Sequence, residues 1–292
     1  MTDPHGPAPA ASGTAVAAPS PRAGRDLPIA IGVGLLLLAA VGGSLFWRKE
    51  LFVLFAVLAC GAALWELAQA FRRRNIHLPL LPLLVGTVGI LISSYTSGAE
   101  ALLVAFLLTA GGAVVWRVLD GSGPAALRDA AAATFAAAYI PFMGGFVMIM
   151  LALPDGQWRV LLFVLLAVAS DTGGYVAGVL AGKHKLAPSV SPKKTWEGLG
   201  GSLVLAAAVG TVLVAWPLGG PLWVGVALGV ASVATSTLGD LAESLLKRDL
   251  GLKDMGSLLP GHGGVLDRLD SLLLTAPLVY LFLTVFLPVV GD

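Results

Sequence analysis

Residues 158–181 read WRVLLFVLLAVASDTGGYVAGVLA. A helix needs about 20 apolar residues to cross a hydrocarbon layer of about 30 Å, and this run is long enough. Hydrocarbon offers no partners to backbone N–H and C=O groups, so a run of this kind is read as a helix. Eight more runs share its character: 28–46, 51–71, 79–96, 99–119, 130–153, 198–216, 222–246 and 270–289. The spacing predicts an all-α, polytopic integral membrane protein with nine transmembrane helices. Only 12% of residues are charged, half of the ~25% of a soluble domain, which excludes a soluble globular fold. Net charge is +1, so bulk charge gives no reason to expect a nucleic-acid partner.

Residues 1–26 are rich in Pro, Ala, Gly and Ser and hold almost no large apolar side chains. Such a segment cannot bury a core and reads as a disordered tail. No clear small-residue cleavage site follows it, which argues against a removed signal peptide. The chain then divides into N-terminal transmembrane helices, 27–155, and a C-terminal region, 156–292, that carries the chemistry. Cys60 is the sole cysteine and sits in an apolar run, where packing is its expected role.

Lysine and arginine set the orientation. With nine alternating spans, one side carries 15 of the 18 basic residues: Arg22, Arg25, Arg72, Arg73, Arg74, Arg117, Arg128, Lys183, Lys185, Lys193, Lys194, Lys247, Arg248, Lys253 and Arg268. The other side carries Arg48, Lys49 and Arg159. The bias predicts a cytoplasmic N-terminus in the cell inner (plasma) membrane.

Three polar regions fall on that cytoplasmic side. The first is residues 170–201, SDTGGYVAGVLAGKHKLAPSVSPKKTWEGLGG. Asp171 lies inside an apolar span, where a carboxylate is expensive unless it faces a cavity, a metal or a partner. The loop beyond carries Lys193 and Lys194 among hydroxyls and glycines. Its charge fits an ordinary cytoplasmic loop, while its hydroxyls and glycine amides before a helix fit a phosphate cradle. The second region ends the eighth span. Asp240, Glu243, Ser244 and Lys247 stand at i, i+3, i+4 and i+7, one face of a helix. A polar helix end with an internal ion pair explains Lys247, but not two carboxylates one to two turns deeper.

The third region is LPGHGGVLDRLDS, residues 259–271. Asp267 and Asp270 stand at i and i+3 where the ninth span begins. Helix capping is an alternative role for Asp270. Gly261, Gly263 and Gly264 permit backbone paths that other residues resist and let a phosphate come close. His262 has no HxxxH or Cys partner for zinc, and hydrogen bonding suits it as well as titration. Glu66, alone in the second span beside Trp65, reads equally as a packed, bonded glutamate or as a functional one. Carboxylates, cationic side chains and glycine turns together suit Mg²⁺-assisted phosphoryl or nucleotidyl transfer. No Walker-type or kinase-type phosphate loop is present.

From Ser244 the chain reads SLLKRDLGLKDMGSLLPGHGGVLDRLD. This resembles the signature of the phosphatidate cytidylyltransferases, or CDP-diacylglycerol synthases, without departure. Ser244, Lys247–Arg248, Lys253–Asp254, His262–Gly264 and Asp267–Asp270 take its places. The DTGGYVAG…GKHKLAP…SPKKTWEG stretch is similar to the family's second block. The resemblance covers about 158–289; residues 1–150 share only apolar spans.

The resemblance implies transfer of CMP from CTP to phosphatidate, giving CDP-diacylglycerol and pyrophosphate for phospholipid biosynthesis. It implies Mg²⁺ held by Asp240 and Asp267, a monovalent ion such as K⁺ beside it, and a homodimer. On that reading Lys247, Arg248 and Arg268 neutralise phosphates, and Lys193 and Lys194 meet the triphosphate. Ser244 binds the lipid phosphate or CTP. Asp171 is an outer metal ligand or orients a lysine. His262, Gly263 and Gly264 border the substrates. Three other readings compete, and one of them, an alcohol phosphatidyltransferase using CDP-lipid, lacks its Asp-Gly-x-x-Ala-Arg type of motif here. An ion-coupled transporter would use intramembrane carboxylates, but near the midplane rather than at one face. A scaffold would have no need for aligned carboxylates within a helix.

Overall fold

The computed structural model describes residues 27–188, 191–258 and 263–289. The tail 1–26 and His262 lie outside the described residues. Among the described residues nine α-helices follow one another: α1 Leu27–Trp47, α2 Lys49–Arg72, α3 Leu80–Asp120, α4 Pro124–Ala137, α5 Met143–Ala152, α6 Gly156–Ala181, α7 Trp196–Ala215, α8 Leu222–Leu250 and α9 Leu266–Phe286. A π-helical turn, Ala138–Phe142, joins α4 to α5 around Pro141, which has no N–H for the helical ladder. Seven helical stretches are long and apolar enough to cross a membrane among the described residues.

That count differs from the nine runs of the sequence for two reasons. Leu27–Trp47 is an apolar helix of 21 residues that stands outside the seven because many of its side chains lie outside the described residues. The third and fourth runs merge into α3, whose 41 residues would reach about 60 Å if straight, twice the hydrocarbon thickness. They are not straight. Gly98 takes φ 77°, ψ −155°, a conformation open to glycine, and the chain folds back there. Gly86 consequently packs directly against the Thr109 side chain, the two positions lying about equally far from the bend.

The fold is not purely helical. Two short antiparallel strands, β1 Lys185–Ala187 and β2 Ser191–Thr195, form a hairpin between α6 and α7. Here the chain has left its apolar run, and a hairpin satisfies backbone groups that a helix no longer covers. Thr195 then caps α7: its Oγ1 accepts the Gly198 N–H at 3.1 Å.

Small residues let the C-terminal helices close up. In α6 a Cβ on Gly173 would lie 2.5 Å from the Gly201 carbonyl of α7, and one on Gly174 would lie 2.7 Å from Ser202 Oγ. Between α8 and α9, a Cβ on Gly239 would lie 2.6 Å from the Asp270 carbonyl. Lipid tails are as apolar as leucine, so close van der Waals contact and hydroxyl bonds must hold such helices together. Ser202 Oγ donates to Ser170 O at 2.5 Å, Ser170 and Ser236 meet at 3.0 Å, and Thr235 donates to Thr275 Oγ1 at 3.1 Å. These bonds link α7 to α6, α6 to α8 and α8 to α9. Gly201→Leu is expected to abolish recovery of folded protein, because the Gly173 carbonyl and Ala177 Cβ, neither of which can swing aside, block the new atoms. Monodisperse elution of the detergent-solubilised variant at the parent's position would contradict this packing.

Polar contacts sort the helix ends. At one end Lys49 Nζ donates to Leu153 O at 2.5 Å, and Arg159 Nη2 donates to Leu287 O at 2.7 Å. At the other, Arg74 Nη2 donates to Asp249 O at 2.7 Å and Arg128 to Asn75 O. The described residues of the three polar regions all gather at this second, arginine-rich end.

Candidate active site

The site forms where α6, β2, α7, α8 and α9 meet. On α8 the expected face is present: Asp240, Glu243 and Lys247 point into the bundle end. Lys194 reaches from β2 and pairs with Asp240 Oδ2 at 2.5 Å. Both side chains are about a quarter exposed, so the pair borders an opening and is not sealed. Lys247 bridges two acids, Glu243 on its own helix and Asp267 Oδ1 on α9 at 3.0 Å. Glu243 is fully buried and Asp267 nearly so.

Asp267 sits in the first turn of α9, because the helix begins at Leu266, four residues before the apolar run. Its carboxylate accepts the Met255 N–H at 3.1 and 3.2 Å and the Gly264 N–H at 2.9 Å. Gly263 takes φ 85°, the left-handed region where glycine is favoured, and brings the loop to the helix start. Asp267 therefore holds together the turn before its own helix as well as pairing with Lys247. Asp270, one turn on, stands beside Glu243 and within electrostatic reach of Asp240. Asp171 on α6 lies within reach of Asp240, Asp270, Lys194 and Arg268.

A cavity of about 180 Å³ opens over this arrangement. Its lining includes Asp171, Tyr175, Lys194, Thr195, Thr237 and Asp240. It brings the N-terminus of α7, whose dipole favours anions, beside a lysine and two carboxylates, although the Trp196 and Gly198 N–H groups already donate to His184 O and Thr195 Oγ1. Glu197 in that first turn holds the preceding loop: its carboxylate accepts the His184 N–H at 3.2 and 3.3 Å and meets His184 Nδ1 at 2.7 Å.

The expected residues are therefore brought together unevenly. Asp171, Lys194 and Asp240 share the cavity; Lys247 and Asp267 form a second, more buried pair beside it. Ser244 is half-buried on α8, Arg248 is exposed near its end, and Arg268 is exposed on α9. Lys193 lies on β2. Gly264 is buried against Asp267 Oδ2 and Glu66. Glu66 was left open by the sequence, and it belongs to the site's surroundings: its Oε2 accepts the Leu266 N–H at 2.9 Å. The only signal in the sequence was a lone glutamate in an apolar span.

Among the described residues, no three His, Cys, Asp or Glu side chains converge closely enough to hold a metal by themselves. The donors nonetheless suit a hard divalent cation that completes its shell with substrate. Mg²⁺ commonly takes one or two carboxylates and fills its other positions with phosphates and water. Acidic side chains from α6, α8 and α9 face one another, and Glu243 meets Asp270 side chain to side chain while Lys247 pairs with it from the next turn.

Oxygen donors for a cation, cations for phosphates and a helix N-terminus beside a cavity define a membrane protein equipped to handle phosphate esters. Residues 29–286 match the cytidylyltransferase family, and the chain belongs to it. It is 42% identical over 284 residues to the phosphatidate cytidylyltransferase of Mycobacterium leprae, covering 91% of this chain and 90% of that protein. It is 38% identical over 279 residues to the phosphatidate cytidylyltransferase of Mycobacterium bovis, covering 90% of each. To the Synechocystis enzyme of the same name it is 46% identical over 145 residues, about half of each chain.

Proposed function

We propose that the chain is a CTP:phosphatidate cytidylyltransferase: a phosphate oxygen of phosphatidate attacks the α-phosphorus of CTP, the bond between the α-phosphorus and the bridging oxygen breaks, and pyrophosphate leaves. CDP-diacylglycerol is the lipid product. The observation that carries this reading is the junction of β2, α8 and α9. Lys194 meets Asp240 and Lys247 meets Asp267 there, in a chain of the cytidylyltransferase family.

The attacking oxygen is already anionic near neutral pH, so the reaction needs no general base. Its difficulty is the approach of two polyanions, and catalysis of this kind is mostly positioning and charge neutralisation. Asp240 and Asp267 would hold Mg²⁺, with Asp171 as an outer ligand and a monovalent ion beside it. The metal would supply charge stabilisation at the attacking and leaving oxygens. Lys194, with Lys193, receives the triphosphate once Lys194 releases Asp240. Lys247 aims Asp267 from 3.0 Å away. Arg248 and Arg268 meet phosphate oxygens, and Ser244 offers a hydroxyl to either substrate. Gly263 would border the substrates, Gly264 backs Asp267 from behind, and a substrate role for His262 rests on the signature alone.

A second cavity, about 480 Å³, supports a sideways entry for lipid. It is bounded by α1, α2, α5, α6 and α9, and Arg268 is its one charged lining residue among Phe52, Phe55, Phe163, Leu269 and Leu272. A lipid chain in this groove would set its phosphate at Arg268. Arg268→Ala is then expected to raise the phosphatidate concentration for half-maximal rate by about 10- to 100-fold, the range for a lost charged hydrogen bond. The CTP requirement should move little, and equal shifts for both substrates would remove Arg268 from the lipid side.

We also infer nine crossings, the α3 hairpin counting twice and α1 once. The N-terminus and the site then face the cytoplasm of the inner membrane, and the working unit is a homodimer. The charge count supports the sidedness, since the arginine-rich end is also the end that holds the site. Purified protein given phosphatidate and CTP labelled at either the α- or the γ-phosphorus tests the reaction. Only the α-label should enter extractable lipid, with the γ-label leaving as pyrophosphate. Folded protein that transfers neither label would overturn the proposal.

A further inference from the structure

We propose that Glu66 is a positioning residue for the signature region: from α2 its carboxylate meets the chain at Gly256, Gly264 and Leu266, and so fixes where Asp267 emerges at the start of α9. The inference rests on the role proposed above for Asp267.

Glu66 is fully buried in a helix that otherwise presents apolar side chains to the bundle. A carboxylate at such a position is expensive, and a leucine would cost less unless the acid has a task. Its partner is 200 residues away: Oε2 accepts the N–H of Leu266, the first residue of α9, at 2.9 Å. N–H groups of a helix's first turn have no partner within the helix, and an acceptor from another element satisfies one of them.

The loop is shaped around this carboxylate. A Cβ on Gly256 would collide with Glu66 Oε1, and a Cβ on Gly264 would lie 2.6 Å from Glu66 Oε2 and 2.8 Å from Asp267 Oδ2. Glycine at both positions makes the room that the acid occupies. Asp267 grips the same turn from its own side through the Met255 and Gly264 N–H groups. Two carboxylates therefore hold one loop: Glu66 fixes Leu266, and the next residue is Asp267. Glu66 Oε1 is buried without a hydrogen-bond partner in the described structure. The orientation of Asp267 toward Lys247 follows from a helix start that α2 anchors, although α2 supplies none of the residues assigned to chemistry.

The test compares Glu66→Ala, Glu66→Gln and Glu66→Asp in detergent. Hydrogen–deuterium exchange of metal-free protein reads the clamp directly. Glu66→Ala should speed exchange in peptides covering 255–267 by about tenfold or more, the scale for losing a bond to a charged acceptor, and leave peptides from α7 unchanged. Glu66→Gln keeps an oxygen acceptor and should exchange like the parent, while the shorter Glu66→Asp should fall between. In the transfer assay Glu66→Ala should raise the Mg²⁺ concentration for half-maximal rate by about tenfold, with the CTP requirement little changed. A merely structural role would lower the amount of active enzyme and leave that midpoint alone. Unchanged exchange at 255–267 in Glu66→Ala, or Glu66→Gln as damaging as Glu66→Ala, would overturn the proposal. If Glu66→Ala fails to fold, Glu66→Asp against Glu66→Gln decides by the same measures. A parent protein without Mg²⁺-dependent transfer would instead overturn the functional reading, and the exchange experiment would still decide the clamp.

Discussion

Asp240→Asn should lower cytidylyl transfer by about 10²- to 10³-fold, the scale for removing one preorganised electrostatic group from a phosphoryl- or acyl-transfer site. The substitution keeps the side chain's shape and removes its charge. Two consequences combine. Lys194 loses the partner 2.5 Å away that parks its ammonium at the cavity mouth. The cavity also loses one of its two lining carboxylates, leaving Asp171 as the other oxygen donor there. Because the Lys194–Asp240 pair is partly open to solvent, its contribution to stability is small, about 1 kcal/mol or less. Activity should therefore collapse while the unfolding temperature stays near the parent's. Parent-like transfer rates at saturating CTP and Mg²⁺ would remove Asp240 from the chemistry.

Lys247→Met should act on stability first, lowering it by about 3–5 kcal/mol, the usual cost of removing one partner from a buried ion pair. Lys247 bridges Glu243, which is fully buried, and Asp267, which is 5% exposed. Removing the ammonium leaves two carboxylates facing each other's charge, with Asp270 adding a third. Methionine retains much of the stem, so lost packing contributes little. Thermal unfolding in detergent would show a clear drop, and Lys247→Met combined with Glu243→Gln should recover part of it by removing one orphaned charge. A single variant as stable as the parent would mean that the bridge contributes little to the fold.

The membrane helices were legible in the sequence because the bilayer imposes length and apolarity together. Among the described residues, seven crossing-competent helices appear where apolar runs lie, with boundaries shifted by up to about six residues. The face carrying Asp240, Glu243 and Lys247 was legible because helical spacing alone sets it. The β1–β2 hairpin was missed, since five- and three-residue strands among lysines and prolines carry no period. The merging of two apolar runs into a hairpin at Gly98 was visible only as two runs, because one glycine among many does not announce a turn.

Pairings across helices were not legible at all. Lys194 and Asp240 are 46 residues apart, and Glu66 and Leu266 are 200 apart. Such contacts depend on which glycines allow two backbones to touch, as Gly173 and Gly201 do. Composition counts those glycines without saying which face which.

The most direct test is the initial rate of CDP-lipid formation by purified protein from phosphatidate and labelled CTP. Chelator-stripped enzyme would be titrated with Mg²⁺, for the parent and for Asp267→Ala. The account predicts no product without Mg²⁺, a saturable rise as Mg²⁺ is added to the parent, and almost none in the folded variant. Parent protein that is folded yet makes no CDP-lipid at any Mg²⁺ concentration would contradict it, as would an Asp267→Ala variant with the parent's Mg²⁺ response.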